Sequence, residues 1–158
     1  MNDERTSSGT VDDRLYPVRP FLAASVAVFR NGRVLLAARA RPPMESFYTL
    51  PGGLVEPGET LGEAALRELR EEVGVEAKLI GFVAPIEIIE RDETGRVRLH
   101  IVIAAHAARW VSGEGQIGPE ARDVQWVRED EIGKWPTTPG LASVLTRAFA
   151  LARSVGPS

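Results

Sequence analysis

Glu68, Glu71 and Glu72 crowd together in R-E-L-R-E-E-V-G-V, residues 67–75, shortly after the glycine-rich run P-G-G-L-V-E-P-G-E. Like charges at helical spacing repel each other. The stretch is therefore either an ordinary solvated face or a place where something positive sits among carboxylates. Clustered carboxylate oxygens suit a hard divalent cation such as Mg2+ or Mn2+. Such an ion can neutralise a phosphoryl group and acidify an attacking water.

Rotating about 100° per residue sorts the helix into faces. Leu61, Ala64, Ala65, Leu69 and Val73 fall on one side, and Glu63, Arg67 and Arg70 on the other. Glu68 and Glu72 project with Leu61, and Glu71 lies at the edge of that apolar arc. A salt-bridge ladder through Glu63, Arg67 and Glu71 is the plain explanation for a charged helix. It accounts for Glu63 and Glu71 but not for Glu68 and Glu72. An ionised carboxylate buried without a partner is costly. The helix has no lysine, and its arginines are expected to point elsewhere. A cation between Glu68 and Glu72 is the expectation. Pro51-Gly52-Gly53 and Pro57-Gly58, read as turns, would let a loop dock on the helix and offer a backbone oxygen.

The elements that must position these groups are readable in outline. F-L-A-A-S-V-A-V-F, residues 21–29, reads as a buried strand. Asn31-Gly32 is a hairpin signal leading to a partner strand at 34–38. Residues 39–46, with two prolines, read as a loop, and 47–50 as a short strand. Thr60 with Glu63 predicts a capping box, and Gly74 a helix stop. Long strands are expected over about 77–90 and 96–110, joined at D-E-T-G, residues 92–95. S-G-E-G-Q-I-G-P-E, residues 112–120, is a glycine-rich loop, V-Q-W-V a strand at 124–127, and a closing helix runs from about 138 to 153. A mixed sheet between helices, an α/β architecture, follows.

Gly53, Glu59, Arg67-Glu68-Leu69-Arg70-Glu71-Glu72 and Gly74-Val75 fill the fixed positions of the pattern G-x5-E-x7-R-E-U-x-E-E-x-G-U, where U is bulky and aliphatic. The stretch resembles a complete Nudix box, and the likeness extends over roughly residues 20–153. The resemblance implies an α/β/α sandwich and a Mg2+- or Mn2+-dependent hydrolase of a nucleoside diphosphate linked to another group. It implies that Glu68, Glu71 and Glu72 bind metal, with the Gly52 carbonyl as a further ligand. It implies that Glu59 and Arg67 form a structural pair steadying the acids, and that Gly53 makes the turn that brings the loop to them. Glu68 and Glu71 are then candidates to take the proton of the attacking water. So is Glu120, six residues before Trp126, because a loop glutamate at similar spacing joins the metal site in MutT-type members. Glu114 competes for that role, and a solvated loop acid is the plain alternative for both.

Arg39 and Arg41 are candidates for holding phosphate, with solvated strand-end charges as the alternative. Phe47 or Tyr48 could stack on a base, although an aromatic at a strand end often belongs to a core. Thr137 and Thr138 lie where MutT-type members contact the base, and one of them could equally cap the last helix. His100 and His106 read as strand residues. Markers of particular Nudix subgroups are missing: Arg91 stands where ADP-ribose hydrolases often have proline, and the only tyrosines are Tyr16 and Tyr48. The substrate class expected is a nucleoside triphosphate or a nucleotide sugar such as ADP-ribose. The rival is a Nudix domain that only binds a nucleotide and regulates.

The rest of the chain bounds these readings. Its 158 residues, 44% hydrophobic and 26% charged, suit one globular domain. A net charge of -3 argues against a nucleic-acid coat protein. With no cysteine, thiolate metal sites and cysteine nucleophiles are excluded. No apolar run is long enough to span a membrane. The expected organisation is a loose arm over 1–17 and a Nudix domain over 18–158. A cytoplasmic protein is expected, with a small nucleotide as partner; a homodimer is compatible with this.

Overall fold

The computed structural model describes residues 13–42 and 44–156. The first twelve residues of the expected arm therefore lie outside the described residues. At the arm's inner end, Tyr16 donates its backbone N–H to the Arg98 carbonyl at 2.8 Å and its hydroxyl to Asp92 Oδ2 at 3.0 Å.

The strands are β1 (Phe21–Arg30), β2 (Arg33–Arg39), β3 (Tyr48–Thr49), β4 (Gly52–Leu54), β5 (Glu76–Arg91), β6 (Val97–Ser112) and β7 (Ala121–Arg128). They form one mixed sheet in the order β3-β2-β1-β6-β5, with β4 paired to β1 and β7 to β2. Helices α1 (Leu61–Val73) and α2 (Leu141–Ser154) cover opposite faces. β1 runs parallel to β6 from Phe21↔Ile101 to Phe29↔Arg109. Because β1 is covered on both faces, its apolar run is continuous rather than alternating. Val26 and Val28 pack towards α1 with Leu35, Leu69 and Val73. Ala27 and Phe29 pack towards α2 with Leu36, Leu145 and Phe149. The Phe29 and Phe149 rings meet edge-on at 4.8 Å.

The hairpins follow their turn residues. Asn31 and Gly32 both adopt positive φ, 50° and 72°, the geometry that suits a tight two-residue turn. In the β5–β6 turn, Asp92 Oδ1 accepts from the Thr94 N–H, the Thr94 hydroxyl and the Arg96 N–H. Pro85 is tolerated because β5 is an edge strand.

Three elements depart from expectation. Gly52 and Gly53 are not a free turn but belong to β4, with Ser25↔Gly52 and Ala24↔Gly53 in register. A Cβ on Gly52 would lie 2.5 Å from the Ala24 carbonyl oxygen and 2.7 Å from Ser25 Cβ, so only glycine lets the two strands approach. Helix α2 begins at Leu141, not near 138, because Pro139 and a left-handed Gly140 (φ 83°) precede it. Thr138 therefore gives α2 no side-chain cap: its hydroxyl bonds the Thr49 hydroxyl and its N–H the Tyr48 carbonyl, while its own carbonyl accepts from the Leu141 N–H at 3.2 Å. Finally, a 3-10 helix at Glu129–Lys134 fills the stretch after β7.

Candidate active site

Helix α1 opens on the expected capping box. Thr60 Oγ1 accepts from the Glu63 N–H at 3.2 Å, and Glu63 Oε2 accepts from the Thr60 N–H at 3.0 Å. It closes on Gly74 in the left-handed region, φ 68°, whose N–H bonds the Arg70 carbonyl. Between these caps Ala64, Ala65, Leu69 and Val73 are buried against the sheet. That packing turns the Glu68 and Glu72 positions inward, beneath β4.

The glycines of β4 meet those carboxylates directly. The Gly52 N–H donates to Glu72 Oε2 at 3.1 Å. The sequence suggested the Gly52 carbonyl as a ligand; the contact recorded here is made by its N–H. A Cβ on Gly53 would lie 2.5 Å from both Cδ and Oε1 of Glu68. Gly53 thus serves close approach, and the turn expected of it is a strand.

Arg67 corrects the helical projection. Its Cα faces away from the apolar stripe, yet its side chain is only 17% exposed. The long stem folds back, and the guanidinium lies among the acids. It grips Glu59 with Nε at 2.7 Å and Nη2 at 2.9 Å. It also reaches Glu68 Oε1 at 2.9 Å, Glu71 Oε2 at 3.1 Å and the Leu54 carbonyl at 3.1 Å. A planar fork with five donors can hold this many acceptors; an ammonium cannot. The expected ladder is only half present, because Glu63 is spent in the capping box.

Glu68, Glu72 and Glu120 bring carboxylate oxygens within 4.8 Å of one another. Glu71 is not in this trio; its side chain is 61% exposed and turned to Arg67. Burial pushes the Glu68 carboxyl above its usual range, with Arg67 opposing. Burial pushes Glu72 up to about 7, against the Gly52 N–H and with repulsion from Glu120 and Glu68. Glu59 is held down at about 2, first by the Arg67 hydrogen bonds and then by the Glu56 N–H. An all-oxygen set of three neighbouring carboxylates, two of them half-buried, fits a hard divalent cation that would relieve their mutual repulsion.

Glu120 comes from a separate segment, at the end of the glycine-rich loop and one residue before β7. Its carbonyl accepts from the Ala40 N–H at 3.1 Å. Glu114, its competitor, is elsewhere: it pairs with Arg30 at 2.7 Å. Arg39 ends β2, and its charge favours the ionised form of Glu72. Arg41 is exposed on the following loop.

Tyr48 is a correction. It is 9% exposed, its ring packs edge-on against Trp135 at 5.0 Å, and its hydroxyl bonds Asp123. It belongs to the core and is not presented to a base. Thr137 forms a parallel bridge with Tyr48 and so borders the same strand. His106 is buried with Nδ1 against the Ala104 carbonyl, as a strand residue. Sequence reasoning missed Asp123, whose pairing with Tyr48 spans 75 residues and leaves no local signal. It also missed the Gly52 N–H contact, which required knowing that β4 pairs with β1.

The family model of the NUDIX domain matches residues 19–148. The chain is 30% identical over 121 residues to an ADP-ribose pyrophosphatase of Methanocaldococcus jannaschii, covering 77% of this chain and 69% of that protein. It is 32% identical over 131 residues to a CTP pyrophosphohydrolase of Escherichia coli, covering 82% and 90%. It also matches NAD-capped RNA hydrolases, of whose length it spans under half. Among solved structures, a MutT NUDIX hydrolase from Burkholderia pseudomallei superposes with a TM-score of 0.71 at 27% identity, over 82% of this chain and 98% of that one.

Proposed function

The chain belongs to the Nudix family, and from that membership we propose that it hydrolyses a phosphoanhydride bond in a nucleoside diphosphate derivative, with Mg2+ or Mn2+ held by Glu68, Glu72 and Glu120. The substrate class is a nucleoside triphosphate or a nucleotide sugar such as ADP-ribose. Relatives named for CTP and for ADP-ribose, at similar identity, support that pairing. The observation that carries the reading is the meeting of Glu68, Glu72 and Glu120 from two separate segments, within 4.8 Å.

Each residue has a physical task. When bound, the divalent cation neutralises the pyrophosphate and lowers the pKa of the attacking water. Arg67 orients Glu68 and keeps Glu59 ionised, so the acidic wall keeps its shape without an ion. The Gly52 N–H fixes one oxygen of Glu72 and leaves the other free for ligation. Glu120 is the exposed member of the trio and the carboxylate best placed to accept the water's proton. Glu68 and Glu71 are weaker candidates for that step, because Arg67 occupies an oxygen of each. Arg39, at the strand end beside Glu72, and Arg41 supply positive charge for the substrate's phosphates. Thr137, next to β3, is the remaining candidate for a contact to the base.

A panel of nucleoside triphosphates and nucleotide sugars, assayed with Mg2+ and Mn2+ through phosphate released by a coupled phosphatase, tests this. Turnover of at least one class with either ion is expected. Silence across the panel, with nucleotide binding retained, would move the protein to the regulatory reading.

A further inference from the structure

Glu120 can join Glu68 and Glu72 only if its loop is held in register with α1, and that loop is tied at several points. Two indoles hook consecutive carbonyls at its start. Trp110 Nε1 donates to the Gly113 carbonyl at 2.6 Å, and Trp126 Nε1 to the Glu114 carbonyl at 3.0 Å. The Arg30 guanidinium lies over Trp110 at 3.9 Å and 5.7 Å from the Trp126 ring. It also bonds the Glu114 carboxylate at 2.7 Å. The loop backbone fits closely beneath this clamp: a Cβ on Gly115 would lie 2.6 Å from Val124 Cγ1. Two residues on, the Gln116 N–H bonds the Val73 carbonyl at 2.7 Å, next in sequence to Glu72.

Trp126 differs from the other ties in where it sits. It belongs to β7, the strand that the loop enters directly after Glu120. Its N–H therefore closes the loop back onto the loop's own exit strand, with Glu120 inside the closed segment. The Gly118 N–H, bonded to the Ala121 carbonyl at 2.9 Å, tightens the same segment.

We propose that Trp126 is a positioning residue for the metal site: its indole N–H fixes the entry of the 113–120 loop and thereby sets where Glu120 stands against Glu68 and Glu72. The inference rests on the reading of Glu120 as a cation-holding carboxylate. The Trp126 N–H bonds Glu114 on the exposed side of the loop, where water could serve it instead, so the test must separate positioning from an incidental surface contact.

The experiment is Mn2+ binding by titration calorimetry on the full chain, with Trp126→Phe and Glu120→Gln alone and combined. Trp126→Phe keeps the ring and loses only the donor. It is expected to weaken Mn2+ binding about two- to tenfold, the worth of one net hydrogen bond. With Glu120→Gln already present, it should weaken binding no further. Equal losses in both backgrounds would make the tie merely structural and overturn the proposal. So would a Trp126→Phe protein that binds Mn2+ normally while Glu120→Gln does not. If Glu120→Gln itself binds Mn2+ normally, Glu120 is no ligand, and the proposal falls with that part of the functional reading. Should Trp126→Phe fail to fold, the indole proton of Trp126 in the parent decides by NMR: Mg2+ should slow its exchange with solvent, because the coupling between tie and ion is reciprocal, and should not do so in Glu120→Gln; unchanged exchange in the parent would overturn the proposal.

Discussion

Gly53 stands against Glu68 with no space for a side chain between them: a Cβ there would lie 2.5 Å from the Glu68 carboxyl carbon. Both are fixed, Gly53 by its pairing with Ala24 and Glu68 by Arg67. Gly53→Ala must therefore move the carboxylate. A displaced supporting contact of this kind typically costs on the order of 10- to 100-fold in metal affinity or activity. Calorimetric Mn2+ binding and turnover should both fall, with an unchanged far-UV circular dichroism spectrum.

Arg67 links Glu59, Glu68, Glu71 and the Leu54 carbonyl, so its removal strands several acids at once. Arg67→Met is expected to lower stability, because the part-buried Glu59 and Glu68 both lose the guanidinium that pairs with them. Arg67→Lys should recover only part, because an ammonium cannot grip Glu59 with two parallel bonds. Urea unfolding midpoints of the three proteins check the order.

Two acids in the cluster titrate in opposite senses. Glu59 is held at about 2, below its ordinary 4.5, by Arg67 first. Its contribution to stability is present above 4.5 and is lost as pH falls towards 2. Glu72 is raised from 4.5 to about 7, by burial first. Its contribution is present below 4.5 and is lost as pH rises through 7. The metal-free protein should therefore lose melting temperature on both sides of a mildly acid optimum. Saturating Mg2+ should restore the neutral and alkaline side, and thermal scans with and without the ion between pH 3 and pH 9 read this directly.

Glu72→Gln separates function from stability. Turnover should vanish, since the most buried carboxylate of the trio is gone. The metal-free protein should nevertheless melt higher than the parent at pH 8, because a neutral amide keeps an acceptor for the Gly52 N–H and carries no buried charge. Turnover retained at the parent level would refute the metal assignment.

Tyr48 makes a structural prediction. Burial first, and then Asp123, raise its hydroxyl to about 12, so it donates throughout the physiological range. Tyr48→Phe removes that donor from a partly buried carboxylate and should cost about 1.5–3 kcal/mol, the range for hydrogen bonds to charged groups. Turnover per folded molecule should be unchanged; a selective rise in KM would return Tyr48 to the substrate site.

The sequence was most legible where the physics is local. The Asn31-Gly32 turn, the Thr60–Glu63 box and the Gly74 stop each depend on a few neighbouring residues, and the structure has all three. The departures differ in kind. Helix α2 starts at Leu141 because of its own local residues, Pro139 and a left-handed Gly140, while Thr138 is held by Thr49, 89 residues away. Gly52 and Gly53 read as a turn because glycine disfavours strands, yet their places in β4 depend on distant partners: a Cβ on Gly52 would meet Ala24 and Ser25 of β1, and one on Gly53 would meet Glu68.

Helical periodicity and the box spacing alone put Glu68 and Glu72 on the inward side of one helix, because 3.6 residues per turn is a property of the backbone itself. The end point of a long side chain is not. Arg67 pointed away by its Cα and arrived among the acids through its flexible stem, drawn by Glu59 and Glu68. Glu120 lies 48 residues beyond Glu72, and only the packing of β7, its loop and α1 brings the two carboxylates together. The carboxylates of α1 were thus written in the chain, and the family resemblance pointed to Glu120, while the meeting of its carboxylate with Glu68 and Glu72 belonged to the tertiary fold.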